Sequence, residues 1–275
     1  MVIFSQRLWR YCVLSLATCG CLLAQPEEPA WGTEVGAGLI ATPSFPGADH
    51  HQILLVPDVR VSYGENFSAS VARGARYVAW TDGTTKIGPL LKVDFGRDDE
   101  GDSPFRIGGD DPIELRGLHE IDTTLQAGVF VEYRAGAWSF ETEALQGVNG
   151  HEGLTVDVAV NYTLRLNSAD AGKGPSSLLI TGPRLKWANS AYHDAYFGIT
   201  AADAVASGLP YYSADGGLSS FGWGLRYIRP ISRQVVLVSF AGYEKLVGSA
   251  SDSPLVRLRG DVNQFSAGAF VGYKF

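Results

Sequence analysis

Asn263–Phe275 reads NQFSAGAFVGYKF, and this segment decides the fold class. Counted back in twos from Phe275, one face of the segment carries Phe275, Tyr273, Val271, Ala269, Ala267 and Phe265. The other carries Lys274, Gly272, Phe270, Gly268, Ser266 and Gln264, small or polar except for Phe270. Side chains of a strand alternate between two faces, so the run is a strand with one apolar face and aromatic ends. A strand that closes a barrel in lipid needs this division: hydrocarbon outside, a polar lumen inside, aromatics at the interfaces. A soluble β-sandwich strand is the competing reading, because periodicity alone does not say which face meets water.

The same alternation recurs through the chain. Leu154, Val156, Val158, Val160, Tyr162 and Leu164 alternate with Thr155, Asp157, Ala159, Asn161, Thr163 and Arg165. A helical period would smear those residues over every face. Strands are expected at 31–41, 53–63, 66–80, 85–96, 122–134, 137–146, 153–165, 177–187, 193–200, 216–228, 233–243 and 263–275. Twelve is an even number, as in single-chain bacterial outer-membrane barrels. Segment 233–243 is apolar on both faces, which a lumen plug or an internal packing layer would explain. The expected fold is therefore all-β: a transmembrane antiparallel up-and-down β-barrel of about twelve strands. Closure also removes the edges that so long a sheet would expose.

Composition fits. The 275 residues include 33 Gly and a single Met, the initiator; aromatics make up 11% and charged residues 19%. Mean hydropathy is +0.02, as expected where apolar and polar residues alternate. After residue 24 no apolar run reaches the length of about 18 residues that a spanning helix requires. Residues 1–24 read as a secretory signal peptide: Arg7 and Arg10, an apolar stretch Tyr11–Leu23, then Ala24 before polar Gln25. Cleavage after Ala24 leaves the barrel domain at 25–275. Cys12, Cys19 and Cys21 all lie in the leader, so lipidation at Cys19 or Cys21 is the alternative fate. Cleavage leaves no thiol chemistry. It also removes two Arg, taking the net charge from −7 to about −9. An acidic chain without basic clusters argues against nucleic acid as a partner. The terminal Phe275 resembles the sorting signal of bacterial outer-membrane proteins, which with the leader points to the outer membrane and its lipid.

One feature resists this topology. With the N-terminus periplasmic, the long acidic segment Arg97–Ile121 falls on the periplasmic side, where short turns are expected. Either it folds into the periplasm or lumen, or the strand count before it is off.

Several segments resemble the MipA/OmpV family, named for an MltA-interacting protein. They are PSFPGAD (Pro43–Asp49), IGPLLKVDFGRDD (Ile87–Asp99), LRGLHEID (Leu115–Asp122), NGHEGL (Asn149–Leu154), AYFGIT (Ala195–Thr200), SGLPYYSADGGL (Ser207–Leu218), SASDSPLV (Ser249–Val256) and the closing GYKF. Phe45 and Ala48 depart from the family pattern, as do His119 and Glu120. The resemblance implies a non-catalytic outer-membrane barrel. For the founding member it implies a scaffold between a murein transglycosylase and a murein synthase in peptidoglycan remodelling. Others of the family look like adhesins or solute-responsive proteins. A narrow channel and an adhesin acting through loops 201–215 and 245–261 are thus the alternatives to a scaffold.

Catalytic, cofactor and metal residues are all expected to be none. His50-His51 after Asp49 would make a surface metal pair, but no third ligand sits at a recognisable spacing. NGHEG at 149–153 has one histidine of the two a zincin helix needs and is flanked by glycines, so it reads as a turn. No G-x-S-x-G occurs, although a Ser–His pair defined by geometry alone is still open. The predicted lumen face interleaves Glu34, Asp58, Arg60, Lys86, Lys92, Asp94, Glu132, Arg134, Glu141, Glu143, Asp157, Arg165, Arg184, Lys186, Arg226 and Lys274. Such charges are expected to pair across strands and leave a polar, mostly plugged lumen.

Overall fold

A computed structural model describes residues 30–98, 105–166 and 176–275. The predicted leader and its three cysteines lie outside the described residues. The strands are β1 (Trp31–Pro43), β2 (His51–Tyr63), β3 (Phe67–Ser70), β4 (Gly74–Tyr77), β5 (Trp80–Thr81), β6 (Thr85–Asp94) and β7 (Arg106–Gly109). They continue as β8 (Thr124–Ala135), β9 (Trp138–Gly147), β10 (Leu154–Leu166), β11 (Ser177–Ala188), β12 (Gly217–Pro230), β13 (Val235–Leu246) and β14 (Asn263–Lys274). Four short helices sit in the connections: α1 (Ser190–Phe197), α2 (Ala201–Ser207), α3 (Gly248–Asp252) and α4 (Pro254–Arg259).

Each strand pairs antiparallel with its neighbours, and β14 returns to pair with β1 from Glu34↔Lys274 to Ala41↔Ala267. β5 and β7 are short additions, so the closed wall has twelve strands. The barrel is inside out relative to a soluble protein. Leu39, Val129 and Val271 point away from the lumen and are 51%, 52% and 54% exposed. Such a continuous apolar exterior is stable only against lipid. Aromatic pairs mark its rims: Trp31–Tyr63 at 4.9 Å between ring centroids, Trp138–Tyr162 at 4.8 Å and Tyr243–Phe265 at 5.0 Å.

Two sequence expectations change. Segment 66–80 is not one strand but a hairpin of β3 and β4. The turn Val71–Arg73 is held by the Arg73 amide donating to Ser70 Oγ at 3.1 Å. Gly74 has φ +70°, and a Cβ there would meet Leu91 O at 2.0 Å, so the reversal depends on glycine. Segment 193–200 is not a strand but the end of α1. Asn189 caps that helix by accepting from the Tyr192 amide at 3.1 Å.

The two corrections cancel in the strand count but not in the topology. One added crossing before Arg97 puts segment 97–121 at the same end as the connections 189–216 and 247–262. Residues 64–66, 136–137 and 231–234 make tight turns at the other end, with Trp31 and Phe275. Long loops outside and short turns in the periplasm is the ordinary arrangement of such barrels.

The short hairpin leaves the wall uneven. β2 is paired by β3 only over Arg60–Tyr63 and by β7 over Gln52–Leu54. β4 pairs β6 only at Leu90 and Leu91. An apolar groove of about 480 Å³ lies there on the outer surface, lined by Val59, Val61, Val71, Leu91 and Val93 among others.

Candidate functional site: a plugged lumen

The outer connections do not wave in solvent; they pack on one another. One buried cluster joins Ile121, Tyr192, Tyr196, Phe197, Leu246, Ala250 and Val256. A second joins Phe45, Leu115, Leu118, Ile199, Leu209 and Leu255. These residues come from four separate connections and from the end of β13, so burying them welds the loops into one body. Hydrogen bonds fix the arrangement. Arg97 donates to Tyr196 O at 2.8 Å and to His119 O at 3.2 Å. Arg259 donates to Glu114 O at 2.7 Å and also to Ser207 O. Ser253 Oγ donates to Phe197 O at 2.6 Å. Burial lowers the Arg97 guanidinium to about 10, opposed by Tyr196 and Asp203; it stays charged at neutral pH.

The plug is tied to the inner wall. Tyr196 OH donates to Asp94 Oδ1 at 2.8 Å. Lys186 Nζ donates to Tyr192 OH at 2.8 Å and lies 4.5 Å from that ring's centroid. α2 carries a capping box: Thr200 accepts from the Asp203 amide at 3.1 Å, and Asp203 Oδ2 accepts from the Thr200 amide at 3.0 Å. Burial alone would raise the Asp203 carboxyl. The hydrogen bonds from His119 and Thr200 outweigh it and hold the group below the usual carboxylate range.

His193 is fully buried on α1, with Nδ1 2.6 Å from Asp215 O and no hydrogen-bond partner for Nε2 among the described residues. Burial pushes it below the ordinary histidine value and Lys186 pushes the same way; the Asp215 contact and Asp194 oppose them. The packed plug therefore refuses a proton that the loosened plug accepts. Its stabilising contribution is whole above the unfolded pKa of about 6.5 and is lost as pH falls. Amides of α1 are expected to exchange with solvent faster at about pH 5 than at about pH 7.5. His193→Gln should flatten that dependence; equal protection of the native protein at both pH values would contradict the assignment.

Beneath the plug three cavities follow one another. The first, about 400 Å³, lies against Tyr192 and Phe197. It shares Lys186, Ser220 and Glu244 with a second of about 360 Å³. That one shares Arg73, Arg184, Arg226 and Glu244 with a third of about 660 Å³, which reaches the turn Ser232–Gln234 at the short-turn end.

The inner charges pair as expected for part of the set. Arg60 meets Glu34 across β2 and β1 at 3.2 Å. Arg76 donates to Glu132 at 2.6 Å and also to Glu143, which takes a second bond from Lys92. Arg76 had not been singled out from the sequence, because it sits on the unrecognised strand β4. The doubly apolar β13 is an internal packing layer. Val236, Val238 and Phe240 face inward, and Phe240 stacks on Phe270 with centroids 6.4 Å apart. A Cβ on Gly38 would lie 2.3 Å from the Phe270 ring. The exceptional inward Phe270 is thus seated on a glycine.

The histidines scatter. His51 approaches Phe265 O at 2.9 Å and does not join His50. His50 lies between Asp49 at 3.1 Å and Glu114 at 3.7 Å, with ligand-type atoms of the three within 4.8 Å of one another. Its Nε2 is 2.9 Å from Ser44 Oγ. Ser44, His50 and Asp49 thus adopt the order of a hydrolase triad, a grouping only the folded chain shows. Acyl chemistry also needs free amides for the oxyanion. Here the Ser44 amide is bound to His50 O, Gly47 to Gln264 and Ala48 to Phe45 O, and Pro46 has none, so of residues 44–48 only Phe45 keeps an amide without a partner among the described residues. His119 binds Asp203 at 2.8 Å. His151, in the turn between β9 and β10, contacts Gln126 at 3.1 Å.

A family model described as MltA-interacting protein MipA matches residues 35–275. The chain is 23% identical over 260 residues to the outer membrane protein OmpV of Vibrio cholerae, covering 90% of this chain and 88% of that protein. It is 23% identical over 167 residues to the outer membrane protein Omp26La of Vibrio anguillarum, 60% of each chain. Among solved structures, a bacterial polysaccharide outer membrane secretin aligns over 88% of this chain and 98% of its own, at 10% identity and TM-score 0.46. An outer membrane channel of Pseudomonas putida F1 aligns over 93% of this chain and 98% of its own, at 11% identity and TM-score 0.41.

Proposed function

The chain belongs to the family of MltA-interacting protein MipA, and on that premise we propose that this outer-membrane barrel is a non-catalytic platform working toward the periplasm. Its partners are murein-remodelling enzymes, a transglycosylase and a synthase. One observation carries the direction of the reading: the outer connections are packed into a plug, while the largest of the three cavities beneath it reaches the short-turn end. Leu115, Leu118 and Ile121 belong to the plug, so the periplasmic turns are the contact candidates. The Ser44, Gly47 and Ala48 amides are committed elsewhere and only that of Phe45 is left over, which supports a non-catalytic reading. A fluorophosphonate probe is expected to leave Ser44 unlabelled.

Photo-crosslinking residues at positions 65, 82 and 233, in the periplasmic turns, test the platform. Recovery of murein enzymes from these positions and not from position 205, on the outer surface, supports it. Recovery of none, or equal recovery from position 205, overturns it. The connected cavities favour a second reading, a narrow solute conduit that opens when the plug moves. An adhesin would act through the plug's outer surface, where Val205 is 88% exposed and Tyr211 and Leu258 are also exposed.

A further inference from the structure

The cavity at the short-turn end is divided in its chemistry. Six arginines and lysines line it against three carboxylates, although the chain as a whole is acidic. Of the carboxylates, Glu34 is committed to Arg60, Glu244 accepts from Ser220 at 3.3 Å, and Asp58 Oδ1 is buried without a hydrogen-bond partner among the described residues. Arg184 and Arg226 make no hydrogen bond or ion pair among the described residues, and Arg184 Nε is buried without a partner. Arg226 stands within electrostatic reach of Arg60, Arg73 and Arg184, with Glu141 as the opposing acidic group. Unpaired cations gathered in a confined space are costly unless an anion joins them.

The arginine is placed deliberately. A Cβ on Gly224 would lie 2.4 Å from Arg184 Nε and 2.8 Å from Cζ and Nη2. The guanidinium therefore occupies the space that a side chain at position 224 would fill, and a larger residue there would displace it. Beside the arginines, Val238, Phe240 and Phe270 make an apolar strip on β13 and β14, with Phe240 the register partner of Arg226. An apolar strip next to cations is misplaced in a purely aqueous channel and fits a ligand with both characters. The volume of about 660 Å³ is that of a small-molecule site.

We infer that this cavity binds a small amphiphilic anion, its carboxylate or phosphate held by Arg184 and Arg226 and its apolar body lying on Val238, Phe240 and Phe270. The inference is independent of the murein partners.

The full-length mature barrel in lipid nanodiscs tests it, with octanoate as probe and empty discs as blank, read by calorimetry. Octanoate is expected to bind saturably at one site, with octylammonium not binding and inorganic phosphate binding far more weakly. Arg184→Gln and Arg226→Gln should each weaken octanoate about tenfold or more, the scale of one charge-assisted hydrogen bond. Gly224→Ala should weaken it without removing a charge. Val238→Asn keeps both arginines and should also weaken octanoate, testing the apolar half should an arginine variant fail to fold. Octanoate heat unchanged in these variants would mean partition into the bilayer and overturn the site. Phosphate binding as tightly as octanoate would overturn it equally. Phosphatidic acid added to the disc separates the sources: competition with octanoate marks a lipid ligand, and none marks a free periplasmic acid.

Discussion

Replacing Arg76 with methionine is expected to destabilise the barrel by about 3–5 kcal/mol, the usual cost of removing one partner from a buried ion network. The side chain is only 7% exposed and reaches two carboxylates, Glu132 and Glu143, from the inner face of β4. Its guanidinium carbon also lies 4.6 Å from the Phe130 ring centroid. Methionine keeps much of the volume and removes the charge. Lys92 still reaches Glu143, and Arg73 still lies 3.5 Å from Glu132, so the lower end of the range is the better expectation. Adding Glu132→Gln should recover part of the loss, because the penalty is a stranded charge and not a lost contact. Urea unfolding of the barrel in lipid vesicles measures both. A loss under about 1 kcal/mol would place the network in the class of solvated surface pairs.

Removing the plug should change conductance more than any point substitution. The native barrel is expected to pass no steady current in planar bilayers. Replacing residues 190–215 with a short Gly-Ser linker deletes Tyr192, Tyr196, Phe197, Ile199 and Leu209 from the two buried clusters. It also releases Lys186 and Asp94 from their tyrosines. The wall is untouched, since the β11–β12 pairing from Leu178↔Ile228 to Ala188↔Gly217 does not use that segment. A steady current is expected to appear, carried through the three cavities. Current that stayed at leak level would mean that the inner charge network closes the path by itself.

The alternation of Asn263–Phe275 and of Leu154–Arg165 was sufficient for the strands, because a period of two survives whatever lies on either side of the sheet; the aromatic strand ends and the leader-like start were needed to turn them into a barrel in lipid. The plug was hardly legible. Its clusters join residues from connections far apart in sequence, and nothing local to Phe45 or Leu255 announces that they meet. Segment 193–200 was read as a strand because Tyr196, Phe197 and Ile199 are apolar in a short window. Asn189 as a cap, and Thr200 followed by Asp203, were the signals for helices. Gly74 was the signal that 66–80 reverses. That single reversal explains why Arg97–Ile121 had been placed on the wrong side of the membrane. Ser44, His50 and Asp49 met only through a turn that no spacing rule describes, and Phe270 stopped being an anomaly once Gly38 was seen beneath it.

The uneven wall around β3 and β4 carries its own safeguard. The Leu55 amide points toward the short hairpin, donating to Phe105 O at 2.8 Å. Two residues further along the strand, on the same side, stands Pro57, which has no amide hydrogen. Strand β2 thus carries an imino acid where a bare donor would otherwise look into hydrocarbon, while Pro89 on β6 stands below the gap, beside the end of β4. A stave cut short in this way offers little purchase for a foreign strand to zip onto.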